Sequence, residues 1–159
     1  MAFQVLVLCT GNSARSQIGE ALLATRGAMR ADGIVNVRSA GSRPVARVNP
    51  YAIEVLASHG IPWTGGVPKS IDDVASDRYD LVITVCDNAR DACPIFPGAH
   101  AQVHWGLPDP ADAEGPEAAR AAFEATYQAL STRVDALLAL PLESLTGDAL
   151  RDSAQRLHG

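Results

Sequence analysis

A chain of 159 residues with 47% apolar and 19% charged residues has the composition of one globular domain, large enough to bury a core without staples. Its formal net charge of −5 and the lack of a basic run exclude a nucleic-acid surface of the usual electrostatic kind. No run of about 18 apolar residues offers a membrane span, and no basic leader with a cleavable apolar segment opens the chain, so the expected location is the cytoplasm. The cysteines are Cys9, Cys86 and Cys93, an odd and low number that argues against a structural disulfide framework. With no Cys-x-x-Cys pair and scattered histidines, no metal site is expected.

Phe3 to Leu8 is apolar except for Gln4, and unbroken apolarity of that length predicts a strand buried on both faces. From Ser13 to Met29 the spacing turns helical, with Ile18, Leu22, Thr25 and Met29 on one face. Ile34 to Ser39 predicts a second strand, running into a turn at Ser39-Ala40-Gly41-Ser42. Asn49-Pro50 starts a helix as N-cap and first-turn proline; Ala52, Val55, Leu56 and His59 share a face, and Gly60 ends it. Pro62 to Ser70 reads as loop. Asp80 to Val85 predicts a third buried strand, with Cys86 at its end. Cys86 to Cys93 has the length of a short helix, Val103 to Trp105 that of a short fourth strand, and Gly106 to Pro116 is a Pro/Gly/Asp-rich loop. The longest helix runs from Glu117 to Leu138, with Phe123, Tyr127, Leu130, Val134 and Leu137 on one stripe. After Pro141 a further helix is expected from about Thr146. The division expected is a catalytic domain over 1–140 and a tail over 141–159.

Strands alternating with helices predict an α/β fold, with a four-stranded parallel sheet as the middle layer of three. Ligands of such sheets bind beyond the carboxyl ends of the strands. Cys9 and Cys86 fall at such ends, and Asp109 falls in the loop after the fourth strand.

The stretch Cys9-Thr10-Gly11-Asn12-Ser13-Ala14-Arg15-Ser16 joins the first strand to the first helix. Unpaired N–H groups at the helix start can converge on an anion, and Gly11 permits the turn. The Arg15 fork suits two oxygens of phosphate, arsenate or sulfate. The helix start and Arg15 favour a Cys9 thiolate, to which the Ser16 hydroxyl can donate. The plainer alternative makes Cys9 a small buried residue and Arg15 a surface charge.

That stretch, with Ser39-Ala40-Gly41 and Asn49-Pro50 and its helix, resembles the low-molecular-weight protein tyrosine phosphatase superfamily over about residues 3 to 140. The resemblance implies an oxyanion site built from Thr10, Gly11, Asn12, Ser13, Ala14 and Arg15. It also implies a general acid at Asp109, in Asp109-Pro110. Read without it, Asp109 is a loop or cap aspartate. Phosphatases often follow the Asp-Pro with aromatic residues, whereas Ala111 and Asp112 follow here. Trp105 reads as core or pocket wall.

If Cys86 to Cys93 is helical, the two sulfurs start roughly 10 Å apart, too far for a disulfide without rearrangement. Val85-Cys86, Cys93-Pro94-Ile95, His104-Trp105-Gly106 and Asp109-Pro110 together resemble the thioredoxin-coupled arsenate reductases of the same superfamily. The resemblance implies that Cys9 attacks arsenate, that Cys86 then attacks Cys9, and that Cys93 finally attacks Cys86. Disulfides Cys9–Cys86 and Cys86–Cys93 follow in turn, with the second reduced by a thioredoxin-like partner, and a mobile Cys86–Cys93 segment is implied. No bound cofactor is implied beyond an external thiol reductant, which can be a thioredoxin, mycothiol or glutathione system. Some relatives bind potassium through the equivalents of Asn12, Glu20, Ser39 and an acid; Lys69 falls at the acid's place, which implies no potassium requirement. A phosphatase using Cys9, Arg15 and Asp109, and an oxyanion sensor that only binds, are the two other readings. A monomer is the default expectation.

Overall fold

The computed structural model describes residues 3–28, 35–64, 66–85, 96–142 and 144–157. Four strands form one all-parallel sheet in the order β2-β1-β3-β4. They are β1 (Phe3–Cys9), β2 (Val35–Gly41), β3 (Leu81–Thr84) and β4 (Gln102–His104). The helices are α1 (Arg15–Gly27), α2 (Pro50–Ser58), α3 (Ile71–Val74), α4 (Pro116–Leu138) and α5 (Gly147–Arg156). No helix among the described residues is long and apolar enough to cross a membrane.

The unbroken apolar character of β1 has a direct cause, because its alternate residues serve two cores. Val5, Val7 and Cys9 face a large cluster with Ile18 and Leu22 of α1, Leu56 of α2 and Phe123, Leu130 and Val134 of α4. Leu6 and Leu8 face a smaller one with Ala40, Val74 of α3, Val82, Tyr79 and Phe96. Helices thus lie on both faces of the sheet and make the three expected layers.

Several boundaries differ from the sequence expectation for local physical reasons. Ser39-Ala40-Gly41 is not a turn but the end of β2, paired in register with Val7, Leu8 and Cys9. A β-carbon on Gly41 would sit 2.4 Å from the Thr10 carbonyl oxygen, so only glycine lets β2 run this close to the loop after β1. Thr25 is exposed, and Leu23 is buried beside Leu22, because α1 packs against both the sheet and α4 and so buries more than one stripe. The segment expected as loop up to Ser70 leads directly into α3, whose start is a capping box between Ser70 and Asp73. Met29 and Ile34 lie outside the described residues.

Other starts and stops follow the sequence. The Asn49 side chain accepts from the Tyr51 N–H at 2.9 Å, Pro50 occupies the first turn, and Gly60 has φ 81° just past the helix end. His59, beyond the last turn of α2, stacks on Tyr127 of α4 with ring centroids 3.9 Å apart. All five stripe residues of α4 are buried. In α5, Leu150 and Ala154 enter the main core. The Gln155 side chain closes the free edge of β4, accepting from His104 N and donating to His104 O, both at 2.8 Å. Trp105 is core, 1% exposed, and its indole N–H donates to Ala154 O.

Candidate active site

Strand β1 ends at Cys9, and the chain reverses into α1 within five residues. Asn12 makes the reversal possible. Its φ of 51° is left-handed, a conformation asparagine tolerates better than most residues, and its side chain is fully buried. Asn12 Nδ2 donates to Ser16 Oγ and Ser39 Oγ, each at 2.8 Å. Asn12 Oδ1 accepts from Lys69 N at 2.8 Å. Ser39 in turn donates to Glu20 Oε1. Every polar atom of the Asn12 amide therefore has a partner, which makes this buried network a rigid one.

The network has a chemical consequence. An amide nitrogen only donates, so Ser16 Oγ uses a lone pair on Asn12 and keeps its own proton. Ser16 Oγ lies 2.8 Å from Cys9 Sγ, and that proton is available to the sulfur. Cys9 is buried, at 2% exposure, and is a free thiol.

Arg15 is the first residue of α1 and is 3% exposed. Its Nη1 donates to Leu107 O at 2.9 Å and to Val85 O at 3.5 Å, which ties the guanidinium to the ends of β3 and β4. Its Nη2 is 3.7 Å from Asp109 Oδ2. Asp109 Oδ1 accepts from Ala111 N at 3.0 Å and caps a single 3-10 turn over Pro110–Asp112. Asp109 is thus both things the sequence allows: a cap through one oxygen, and a carboxyl at the site through the other.

Cys9, Gly11, Ser13, Ala14, Arg15, Val45, Asp109 and Ala111 line one open cavity of about 150 Å³. Ala14, the N-cap of α1, supplies no side-chain cap, and the first turn holds no acid. Among the described residues the N–H groups of Gly11, Ser13 and Ala14 meet no main-chain carbonyl. Such a concavity of free N–H groups with an arginine at its rim attracts an anion. Thr10 and Asn12 stand behind the loop rather than on the cavity wall.

The structure therefore brings Cys9, Arg15, Ser16 and Asp109 together. Cys86 and Cys93, and the helix expected between them, lie outside the described residues. Sequence reasoning missed Val45. It reaches the cavity because Ser42 N, Arg43 N and Val45 N donate to Cys9 O, Thr10 O and Gly11 O, extending the β1–β2 pairing past the strand ends. No local sequence signal marks that extension. Asn49 N donates to Ser13 O, so the start of α2 also braces the loop.

Lys69 is the chain's only lysine. Its Nζ lies 3.9 Å from Glu20 Oε1 and donates to Val67 O at 3.3 Å. The Lys69 ammonium thus stands beside Glu20, whose Oε1 also accepts from Ser39.

A sequence profile of the low molecular weight phosphotyrosine protein phosphatases matches residues 4–150. An arsenate reductase of Halalkalibacterium halodurans is 39% identical over 111 residues, covering 70% of this chain and 76% of that one. A solved arsenate reductase in the phosphate-binding state superposes with a TM-score of 0.68 at 31% identity, covering 86% of this chain and 97% of that one. A thioredoxin-dependent arsenate reductase of Corynebacterium glutamicum gives 0.58 at 35% identity, over 81% of this chain and 58% of the other. On its sequence match, its parallel sheet and the loop from Cys9 to Ser16, the chain belongs to the low molecular weight phosphotyrosine protein phosphatase family.

Proposed function

We propose that the chain is an arsenate reductase that works by a three-cysteine relay coupled to a thioredoxin-like reductant. The observation that carries this reading is the cavity itself. A buried thiol, an arginine fork and a half-exposed carboxyl converge on a space walled by Val45 and Ala111, with no aromatic ring among the described residues that line it. A tetrahedral oxyanion suits that space, whereas an aryl phosphate finds no ring to stack on. The relatives at about 40% identity are arsenate reductases, which supports the same choice.

In this mechanism the Cys9 thiolate attacks arsenic, while Arg15 and the N–H groups of Gly11, Ser13 and Ala14 hold the oxygens. Once the oxyanion takes up the Arg15 charge, Asp109 Oδ2 delivers a proton to the departing oxygen, which leaves as water. Ser16 donates to Cys9 whenever the sulfur carries charge. The Cys86 thiolate then attacks Cys9 Sγ. The S–As bond breaks, its electron pair stays on arsenic, As(V) becomes As(III), and arsenite leaves. Cys93 next attacks Cys86, which releases Cys9 as a thiolate and leaves Cys86–Cys93. A dithiol of the thioredoxin class reduces that bond by the same exchange chemistry. A relay that starts from free thiols needs a reducing compartment, which favours the cytoplasm. All the groups with a chemical role lie within residues 1–140; the tail over 141–159 contributes α5, which braces β4.

The test is arsenate-dependent NADPH oxidation with thioredoxin and its reductase. Cys86→Ser and Cys93→Ser should each abolish sustained turnover, with Cys93→Ser still releasing one arsenite per enzyme. Normal multiple turnover by both variants would sink the relay.

A further inference from the structure

One wall of the cavity depends on a peptide whose direction is set from behind the loop. Ser13 lines the cavity, and its N–H belongs to the Asn12–Ser13 peptide. In a planar trans peptide the carbonyl and the N–H point in opposite directions. If the Asn12 carbonyl faces away from the cavity, the Ser13 N–H faces into it. The opposite setting would present a carbonyl oxygen to the incoming anion. No main-chain N–H among the described residues donates to Asn12 O. Its partner is a side chain, Gln17 Nε2, at 3.1 Å.

Gln17 is fully buried and does not line the cavity. Its amide could in principle sit either way round, and Trp63 decides which. The Trp63 indole N–H donates to Gln17 Oε1 at 2.9 Å. An indole N–H can only donate, so the oxygen end must face Trp63 and the NH2 end must face Asn12 O, with Val67 O at 3.5 Å as its second acceptor. Reversing the amide would set oxygen against two carbonyls and an NH2 group against the indole N–H. Gly66 leaves room for this contact: a β-carbon there would fall 2.4 Å from Trp63 Nε1 and 2.7 Å from Gln17 Oε1.

We infer that Gln17 and Trp63 are positioning residues that hold the Asn12–Ser13 peptide with its N–H towards the bound oxyanion. The chain of command runs from the half-buried indole, through one amide, to one peptide of the oxyanion loop. It rests on the reading of that loop as an oxyanion site. It assigns work to Trp63, Gly66 and Val67, none of which lines the cavity.

The experiment is titration with inorganic phosphate by calorimetry, with thermal melts of each variant alongside. Gln17→Met keeps the side-chain length and loses both polar ends; it should weaken phosphate binding about tenfold and raise the KM for arsenate by a similar factor. Trp63→Phe keeps a ring and loses the donor; it should weaken phosphate about threefold. The double variant should bind no worse than Gln17→Met, because both act through one peptide. A purely structural role would lower the melting temperature and leave the phosphate affinity of the folded protein unchanged. Affinity within twofold of the native chain in Gln17→Met overturns the inference, as does a double variant whose losses multiply. If Gln17→Met does not fold, unchanged affinity in Trp63→Phe overturns it alone. Native protein that binds no phosphate overturns the oxyanion-site reading and this inference together, whereas native binding with unaffected variants overturns only the inference.

Discussion

The loop from Cys9 to Ser16 and the carboxyl of Asp109 meet at one cavity, yet they are held very differently. Asn12 is fully buried, uses every polar atom of its side chain and is braced by Ser39 of β2 and the Lys69 main chain, while Asn49 N at the start of α2 holds the neighbouring Ser13 O. Arg15 is anchored to two main-chain carbonyls from the segments that follow β3 and β4. Asp109, by contrast, has a side chain 35% exposed, one capping bond and one ion pair at 3.7 Å. The difference fits the two tasks proposed for them. Stabilising charge on an oxyanion works only if the donors are already in place and need no reorganisation. A proton donor must hold and release its proton within a cycle, and a carboxyl with one oxygen committed and the other loosely paired is free to do so.

The largest test of this contrast is Arg15→Lys, which attacks the one side chain common to both regions. Lysine keeps the charge but loses the planar fork and its bond to Leu107 O. We expect kcat/KM for arsenate to fall about a thousandfold, with phosphate affinity falling too. Retention of phosphate affinity would mean that the loop amides alone bind the anion. Asp109→Asn should separate the two regions. The amide oxygen can still cap Ala111 N, so the turn survives, but the proton donor is lost. We expect kcat to drop about a hundredfold and phosphate affinity to stay within twofold. An equal loss in both would show that Asp109 serves binding instead. The smallest effect sharpens the rigid side. With the Lys69 ammonium already beside Glu20, exchanging sodium for potassium should change kcat/KM by less than about twofold, and a several-fold rise would overturn that assignment.

Much of the rigid half was legible in the sequence because it is local. An apolar strand, a cysteine at its end, one glycine, and an arginine opening a helix lie within a dozen residues, and their geometry follows from short-range rules. The Asn49-Pro50 helix start and the α4 stripe were legible for the same reason. Ser39-Ala40-Gly41 misled because its small residues look like turn formers. Gly41 is bare so that β2 can press against Thr10 and Asn12, Ala40 packs into the second core, and Ser39 bonds Asn12 and Glu20. Val45 could not be read at all. It lines the cavity only because strand-like pairing continues beyond β2, and that depends on where two distant segments meet.

By itself the sequence determined the four strands and most of the helices, the parallel sheet and the place of the Cys9–Ser16 loop between β1 and α1, because each rests on periodicity or on neighbours within a few residues. Only the tertiary structure decided which atoms of Asp109 cap and which face Arg15, how Trp63 and Gln17 reach the back of the loop, and how Gln155 closes the edge of β4. Those contacts join residues tens of positions apart, and their partners are chosen by packing and donor–acceptor matching rather than by any pattern along the chain.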